Sequence, residues 1–335
     1  MAARPLVSIL IPAFNAQRWI ADTVRSAVRQ TWNRKEVIVV DDGSTDQTLA
    51  IARKFASDTV TIVTQPNQGA AAARNKAYSI CQGNYIQWLD ADDLLAPTKI
   101  ATQMTVTESC QSKRTLFSSA WGDFIRRPHK ANFRMSRLWT NLSPLEWLTR
   151  ALGEGLFMQP ASWLVSRELA DLAGPWDTRL SFDDDGEYCC RLVRFSDNVQ
   201  FVPDAQMFYR RSGPSSLSNI ERTNRRLESE FLSIQLQVQH LCSLQADDRV
   251  LHACVNFMQR YLIDFYPERL DLVKKLEQIA KSLGGELNAP RLPSKYEWIQ
   301  KVFGWPAAKR SQLYYNQLKS SVLTVWDGAL LRLSL

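Results

Sequence analysis

Short apolar runs alternate with amphipathic segments along the first hundred residues. Each run is rich in β-branched and other hydrophobic residues, as in strands covered on both faces, and each is followed by apolar residues at helical spacing. The four runs are Leu6–Ile11, Val37–Val40, Val60–Val63 and Asn84–Leu89. Because the connections are short, this alternation predicts right-handed crossovers and a parallel, doubly wound α/β sheet.

Acidic residues directly follow two of these predicted strands. Asp41 and Asp42 end the second strand, and Asp90, Asp92 and Asp93 end the fourth. Open α/β sheets bind ligands at the carboxyl edge of their strands, so we expect the chemistry there. A hard divalent cation such as Mg²⁺ or Mn²⁺ takes oxygen ligands and would hold clustered carboxylates together. The alternative is that Asp92 and Asp93 only begin the next helix, where Asp is favoured.

Helices are predicted between these strands. Asn15 stands at the position of an N-cap, and apolar residues at helical spacing continue from Trp19 to near Gln30. Two further helices are predicted at Gln47–Phe55 and Ala70–Cys81. No GxGxxG fingerprint and no P-loop lysine motif occurs in the sequence, which argues against a dinucleotide dehydrogenase and a P-loop phosphotransferase.

The middle of the chain holds a second acidic cluster. The run Phe182–Glu187 contains three aspartates and a glutamate, and it opens a predicted helix with Tyr188 and Leu192 on its apolar face. A carboxylate positioned as a general base typically accelerates a reaction by about 10²–10⁴-fold, so this cluster is a candidate source of one. The strands predicted in this part of the chain are Leu116–Ser119, Ala161–Val165, Val199–Val202 and Met207–Tyr209.

Long helices are predicted after Ser218. They are Glu221–Leu244, Asp247–Phe265 and Leu270–Leu283. The last segment, Tyr296–Leu335, interleaves tryptophans with lysines and arginines, which suits peripheral contact with an anionic membrane surface. A helical appendage packed on the rest of the protein explains the segment equally well, since single aromatic residues more often belong to a core.

Charge and cysteine content narrow the class of protein. The chain has 335 residues and a formal net charge of +7, which favours anionic partners such as nucleotide phosphates or a membrane. Charged residues are 22% of the chain with both signs interspersed, so we do not expect nucleic acid binding. The six cysteines form no CxxC pair and share no ligand spacing with the three histidines, so we expect reduced thiols and no zinc.

We predict no signal peptide and no membrane span, hence a cytoplasmic protein, soluble or peripheral at the inner face of the membrane.

Four segments together resemble glycosyltransferase family 2, a family of inverting enzymes with the GT-A fold, and they follow its order and spacing. The segments are Val7–Asn15, Val39–Asp46, Asn67–Gly69 with Ala73–Asn75, and Trp88–Asp93. The resemblance implies a Rossmann-like mixed sheet and a GT-A domain over residues 1–218. Residues 1–110 would bind a nucleotide-sugar, residues 111–218 would form the acceptor side, and residues 219–335 would form a helical C-terminal region.

The resemblance also implies roles for residues around the nucleotide. Pro12, Phe14 and Asn15 match positions that line the nucleoside pocket. Asp42 matches the acid that hydrogen-bonds the base, and Asp41 lies beside it.

Further positions correspond to the diphosphate and the metal. Gly69 belongs to the matching loop, and Arg74 matches a basic residue near the nucleotide. Asp90 and Asp92 form the DxD element, with Asp92 as the direct ligand of Mn²⁺ or Mg²⁺ and Asp90 reaching the sugar or ribose. Many relatives have a histidine after the last strand, whereas this chain has Arg210, which would pair with the diphosphate and partly replace the metal.

The resemblance implies that Asp185 is the catalytic base, with Asp184 and Glu187 as competitors. The expected reaction is inverting transfer of a sugar, UDP-linked, to a hydroxyl of a saccharide or lipid-linked saccharide. Two alternatives stay open: a sugar nucleotidyltransferase, although Pro12–Asn15 lacks the glycine-rich, lysine-bearing loop it needs, and a nucleotide-sugar-binding protein without turnover.

Overall fold

The computed structural model describes residues 4–110, 112–211 and 223–333. Five strands form the first sheet: β1 (Val7–Ala13), β2 (Lys35–Asp41), β3 (Val60–Thr64), β4 (Tyr85–Trp88) and β8 (Val165–Ser166). Their order is β3-β2-β1-β4-β8, with β1 to β4 parallel and β8 antiparallel to β4. Every residue of the central strand β1 is buried, as expected for a strand covered on both faces. The predicted parallel strands are confirmed, and β8 makes the sheet mixed.

A second sheet lies beside the first. Its strands are β5 (Leu94–Leu95), β6 (Thr115–Phe124), β7 (Asn132–Phe133) and β9 (Asn198–Arg210), in the order β5-β9-β6-β7. The two strands predicted between Val199 and Tyr209 are one continuous strand, β9. Its register with β6 shifts between Ser119, which pairs with Val202, and Ala120, which pairs with Gln206, so the residues between the two predicted strands form an irregularity in one ladder.

Helices cover both sheets and form the C-terminal region. They are α1 (Ile20–Val28), α2 (Thr48–Arg53), α3 (Ala70–Ile80), α4 (Lys99–Thr107), α5 (Pro144–Glu154), α6 (Arg167–Ala173), α7 (Asp184–Phe195), α8 (Asn224–Leu244), α9 (Asp248–Phe265), α10 (Leu270–Ser282) and α11 (Glu297–Leu333). One apolar core runs from Trp88 under the first sheet through Leu192 on α7 to Leu241 on α8 and Phe257 on α9. Helices α8, α9 and α10 therefore share a core with the α/β part.

Two local predictions are wrong. Asn15 does not cap the first helix, because α1 begins at Ile20 after Trp19, and Asn15 has a φ of 47° in the preceding loop. The strand predicted at Ala161–Val165 forms only at its end, because Pro160–Ser162 is a 3-10 turn, Leu164 makes a single bridge to Phe117 and β8 begins at Val165. Proline lacks the amide N–H that a strand ladder needs and has a fixed φ suited to a turn, which explains the second difference.

The C-terminal helix α11 bends at Gly304, where φ is 80°. In residues 4–110, 112–211 and 223–333, no helix combines the length and the apolar character that crossing a membrane requires.

Gly83 marks a close approach between β4 and β1. A Cβ on Gly83 would lie 2.3 Å from Ser8 Oγ, 2.6 Å from Ser8 N and 2.8 Å from the Tyr85 carbonyl. We expect Gly83→Ala to lower the free energy of unfolding by about 1–3 kcal/mol, because backbone atoms cannot move aside cheaply. Urea denaturation tests this, with Gln82→Ala at the exposed neighbour as the control. Equal midpoints for the two variants would contradict the expectation.

Candidate active site

The carboxyl ends of the parallel strands bring the predicted acids to one edge. Ala13 at the end of β1 pairs with Asp41 at the end of β2, and β4 ends at Trp88, two residues before Asp90. The alternative that Asp92 and Asp93 start a helix is wrong, since the short strand β5 follows them and α4 begins only at Lys99.

Asp42 anchors the loop before α3. Its Oδ1 accepts hydrogen bonds from Gln65 Nε2 at 2.8 Å and Gln68 N at 3.0 Å, and its Oδ2 accepts one from Gly69 N at 2.8 Å. Gly69 has a φ of 94°, which favours glycine. A carboxylate offers about four acceptor sites, so these three bonds leave capacity for a further donor.

Asp41 lies buried beside it with an incomplete set of partners. Its Oδ2 is 3.3 Å from both Ser44 N and Thr64 Oγ1, while its Oδ1 has no hydrogen-bond partner within the described part of the chain. A buried acceptor without a donor is costly. Such an oxygen therefore favours the arrival of a donor from a ligand.

The loops that follow β1 and β2 are joined to each other beside this edge of the sheet. Asn15 Oδ1 accepts a hydrogen bond from Thr45 N at 2.9 Å, and Asn15 N donates to Ser44 Oγ at 3.0 Å. Next to them the Phe14 side chain is 47% exposed, whereas Pro12 is buried within β1. An exposed aromatic ring beside buried acids offers a flat apolar surface to a planar group such as a nucleobase.

Arg74 joins the two acidic clusters. It is 5% exposed, and its Nη2 donates to Asp90 Oδ1 at 2.8 Å while its Nη1 donates to Asp184 Oδ2 at 2.6 Å. The guanidinium also lies 4.2 Å from the centre of the Trp176 ring. Burial opposes the charge, but Asp184 and Asp90 outweigh it and raise the pKa of Arg74 above its usual range.

Arg210 supports the loop that carries Asp92. Its backbone N donates to Asp93 Oδ1 at 2.8 Å, and its Nε donates to the Asp92 carbonyl at 2.7 Å. The guanidinium lies 4.4 Å from the Trp19 ring and 4.6 Å from the Phe124 ring. To touch a diphosphate, as the family resemblance implies, this side chain would have to leave these contacts. Its role there stays a prediction.

Three carboxylates compete for the role of base, and their surroundings differ. Asp184 is held by Arg74. Glu187 is 2% exposed and lies between Arg191 Nε at 2.6 Å and His240 Nε2 at 3.0 Å. Asp185 instead lines a narrow cleft, whose other walls include Trp88, Trp163, Trp176, Tyr188 and Met158.

The environment of Asp185 suits a proton acceptor near neutral pH. Burial, followed by the charge of Asp184, raises the pKa of Asp185 to about 6, although Arg74 opposes the rise. A base is most effective when its pKa lies near the working pH. Asp185 therefore combines an apolar cleft with a suitable pKa.

The residues at the edge fit a metal only in part. Within the described ranges, no group of three or more His, Cys, Asp or Glu side chains converges on one point. Asp90 and Asp92 lie on one tight turn, in which Asp93 N donates to the Asp90 carbonyl at 3.1 Å. Magnesium-like ions are commonly bound by one or two carboxylates plus phosphate oxygens and water. The donor set therefore suits a cation that arrives with a diphosphate.

Solved structures of GT-A glycosyltransferases have the same fold as this chain. S. aureus TarS 1-349 in complex with UDP is 16% identical with a TM-score of 0.60, over 92% of this chain and 82% of that chain. A mannosyltransferase from Pyrobaculum calidifontis, in complex with GDP-Man and Mn²⁺, is 19% identical with a TM-score of 0.50, over 97% and 88%. The fold and the acidic edge define a GT-A α/β protein.

Sequence comparison matches part of the chain to a known family. The family model described as Glycosyl transferase family 2 matches residues 8–146, which are less than half of the chain. Chondroitin synthase of Escherichia coli is 44% identical over 98 residues, which are 29% of this chain and 14% of that protein. The putative teichuronic acid biosynthesis glycosyltransferase TuaG of Bacillus subtilis is 38% identical over 120 residues, 34% and 48%. The aligned part of the chain thus spans less than half the length of these relatives.

Proposed function

We propose that the chain is an inverting glycosyltransferase that moves a sugar from a nucleotide-sugar to a hydroxyl of a saccharide or lipid-linked saccharide. The observation that carries this proposal is the continuous link from Asp90 through Arg74 to Asp184, next to Asp185. It connects the acids on the nucleotide side with a candidate base in an apolar cleft. A donor bound on the Asp90 side and an acceptor bound beside Asp185 would therefore place the diphosphate and the acceptor hydroxyl on opposite sides of the anomeric carbon.

In the proposed mechanism Asp185 removes the proton from the acceptor hydroxyl. The hydroxyl oxygen attacks the anomeric carbon opposite the diphosphate, so a single displacement inverts the configuration. Phe14, Asp41 and Asp42 would hold the nucleoside, and Arg74 would keep Asp90 and Asp184 in place. Its buried charge also lowers the repulsion between the two acidic clusters.

A UDP-linked donor and a divalent metal are part of the proposal. Among the structural neighbours, S. aureus TarS was solved with UDP and with UDP-GlcNAc, and the Pyrobaculum calidifontis mannosyltransferase with GDP-Man and Mn²⁺. Asp92 and Asp90 would hold the cation against the diphosphate. The metal would act as a Lewis acid and stabilise the charge that develops on the leaving group.

Slow hydrolysis of the donor tests the stereochemical part, since water can replace the acceptor. We would incubate the protein with UDP- and GDP-sugars plus Mn²⁺ and follow the first sugar released by NMR. The account predicts that an α-linked donor first gives the β-anomer. Release of the α-anomer first would contradict a single displacement.

The pH dependence of turnover follows from the environment of Asp185. A base must be deprotonated to work, and the pKa of Asp185 is raised to about 6 by burial and by Asp184. We therefore expect kcat/KM to rise as pH increases through about 6 and to level off above it. Asp184→Asn should move this limb to lower pH, because the neighbouring charge is removed. A flat profile across this range would contradict the role of Asp185.

We further propose that α11 contacts an anionic membrane surface. Its exposed aromatic side chains include Trp298 at 61%, Phe303 at 66%, Tyr314 at 71% and Trp326 at 66%. Residues 291–333 hold seven lysines and arginines but only two acidic residues. Aromatic and basic residues together suit the headgroup region of anionic lipids.

Co-sedimentation with vesicles tests this contact. We expect the protein to pellet with phosphatidylserine-containing vesicles at low salt and to be released at high salt, where charges are screened. Pure phosphatidylcholine vesicles are the control, and Trp298→Ser with Phe303→Ser should weaken binding several-fold. Protein that stays in the supernatant with anionic vesicles at low salt would refute the proposal.

A further inference from the structure

We propose that helix α8, in the C-terminal region, positions the catalytic base through a row of polar side chains. The row, here called the α8 polar stripe, consists of Ser229, Ser233, Gln237 and His240. The inference rests on the proposed role of Asp185 and extends it to residues 44 to 55 positions further along the chain. These are positioning residues, since they contact the segment that carries the base.

The stripe occupies one buried face of α8. Its members are spaced by four, four and three residues, so they lie above one another on the same side of the helix. Their exposed fractions are 4%, 0%, 6% and 8% in chain order. Buried polar groups are costly unless they are hydrogen-bonded. The partners that they find therefore explain why polar residues stand on a face that would otherwise be apolar.

Ser229 and Ser233 bind the backbone just before α7. Ser229 Oγ accepts hydrogen bonds from Ser181 N at 2.8 Å and Phe182 N at 2.9 Å, and it donates to the Phe182 carbonyl at 2.9 Å. Ser233 Oγ lies 2.8 Å from the Asp183 carbonyl and 2.7 Å from Asp183 Oδ2. Two hydroxyls thus fix three consecutive residues that lead to the base.

Asp183 is the residue that most needs this support. It has a φ of 57°, in the left-handed region that residues other than glycine seldom adopt. Gln237 Nε2 donates to Asp183 Oδ2 at 2.7 Å, so the same carboxylate oxygen receives both Ser233 and Gln237. The turn at Asp183 sets the direction in which α7 starts. It therefore decides where Asp184 meets Arg74 and where Asp185 enters the cleft.

His240 holds the first turn of α7 from its other side. Its Nε2 lies 3.0 Å from Glu187 Oε1, and Arg191 Nε approaches the same oxygen at 2.6 Å. Glu187 is two residues beyond Asp185. The stripe thus hydrogen-bonds residues on both sides of the base. A displacement of about 1 Å in a reacting group can cost about 10²-fold in rate, so we expect these hydrogen bonds to affect turnover.

The test combines two isosteric changes, Ser233→Ala and Gln237→Met, which remove the hydrogen bonds to Asp183. We expect the double variant to lower kcat for donor hydrolysis about 10–100-fold, while the KM of the donor and calorimetric binding of UDP with Mn²⁺ change less than about threefold. Ser233→Thr keeps the hydroxyl and should retain native kcat. The matched control is Ser243→Ala, on the same helix, whose hydroxyl bonds only the His240 carbonyl among described atoms.

If the double variant does not fold, the single variant Ser233→Ala keeps the test decisive, because it removes only one hydroxyl oxygen from the core. A reduced kcat that Ser233→Thr restores supports the inference. Native kcat in a folded Ser233→Ala and in a folded Gln237→Met, when Asp185→Asn is inactive, would overturn it. If Asp185→Asn itself keeps native turnover, the proposed role of Asp185 as the base fails instead, so the two failures are distinguishable.

Discussion

Asp185→Asn should lose about 10²–10⁴-fold in kcat, while its affinity for the donor stays native. An amide cannot accept the proton of the acceptor hydroxyl, yet it has nearly the same size and fits the same cleft beside Trp88 and Trp176. Release of nucleoside diphosphate measures turnover, and calorimetry with UDP and Mn²⁺ measures binding. Asp204→Asn, at an exposed aspartate on β9, is the matched control and should behave as native protein.

Variants of the two competing carboxylates, Asp184 and Glu187, test whether Asp185 is the base. Asp184→Asn should weaken the contact with Arg74, and Glu187→Gln should loosen the first turn of α7, but neither removes the base. A folded Asp185→Asn with native kcat, alongside an inactive Glu187→Gln or Asp184→Asn, would move the base assignment to one of those residues.

Arg74→Met is expected to lower the free energy of unfolding by about 3–5 kcal/mol, the range found when one partner of a buried ion pair is removed. Methionine fills part of the space but leaves Asp90 and Asp184 close together without their shared cation. Urea denaturation measures the loss. Adding Asp184→Asn to this variant should restore part of the stability, because one uncompensated charge disappears.

A surface ion pair provides the control for that experiment. Arg114 and Asp197 are in contact at 2.5 Å, but their side chains are 44% and 38% exposed. Arg114→Met should therefore cost only about 0–1 kcal/mol. Similar losses for Arg74→Met and Arg114→Met would mean that Arg74 does not serve as the electrostatic link between the two clusters.

Local patterns predicted much of the fold and the position of several candidate site residues. The acids that end β2 and β4 lie at one edge because parallel strands place their carboxyl ends together. That inference needs only the strand assignments, and Asp41, Asp42 and Asp90 follow from it. Asn15 shows the limit: the sequence predicts a helix N-cap, but the side chain accepts a hydrogen bond from Thr45 N across the loop.

The sequence could not show which residues contact each other when they are far apart in the chain. Arg74 and Asp184 are 110 positions apart, and no local pattern distinguishes this arginine from a solvated one. Nothing in the local sequence indicates that Trp176 stacks on Tyr188, with ring centres 4.0 Å apart, and lies under the Arg74 guanidinium. The polar residues of the α8 polar stripe gave one signal, since they interrupt the apolar face of a helix.

The binding of nucleoside diphosphates tests the central claim most directly, because every proposed role depends on it. Calorimetric titration of the full chain with UDP and with GDP, each with and without Mn²⁺, requires no knowledge of the acceptor. The account predicts that UDP binds in the presence of Mn²⁺ and that Asp92→Asn weakens this binding at least tenfold. No binding of either nucleotide to the folded protein, with or without the metal, would contradict the roles given to Asp42, Asp90 and Asp92.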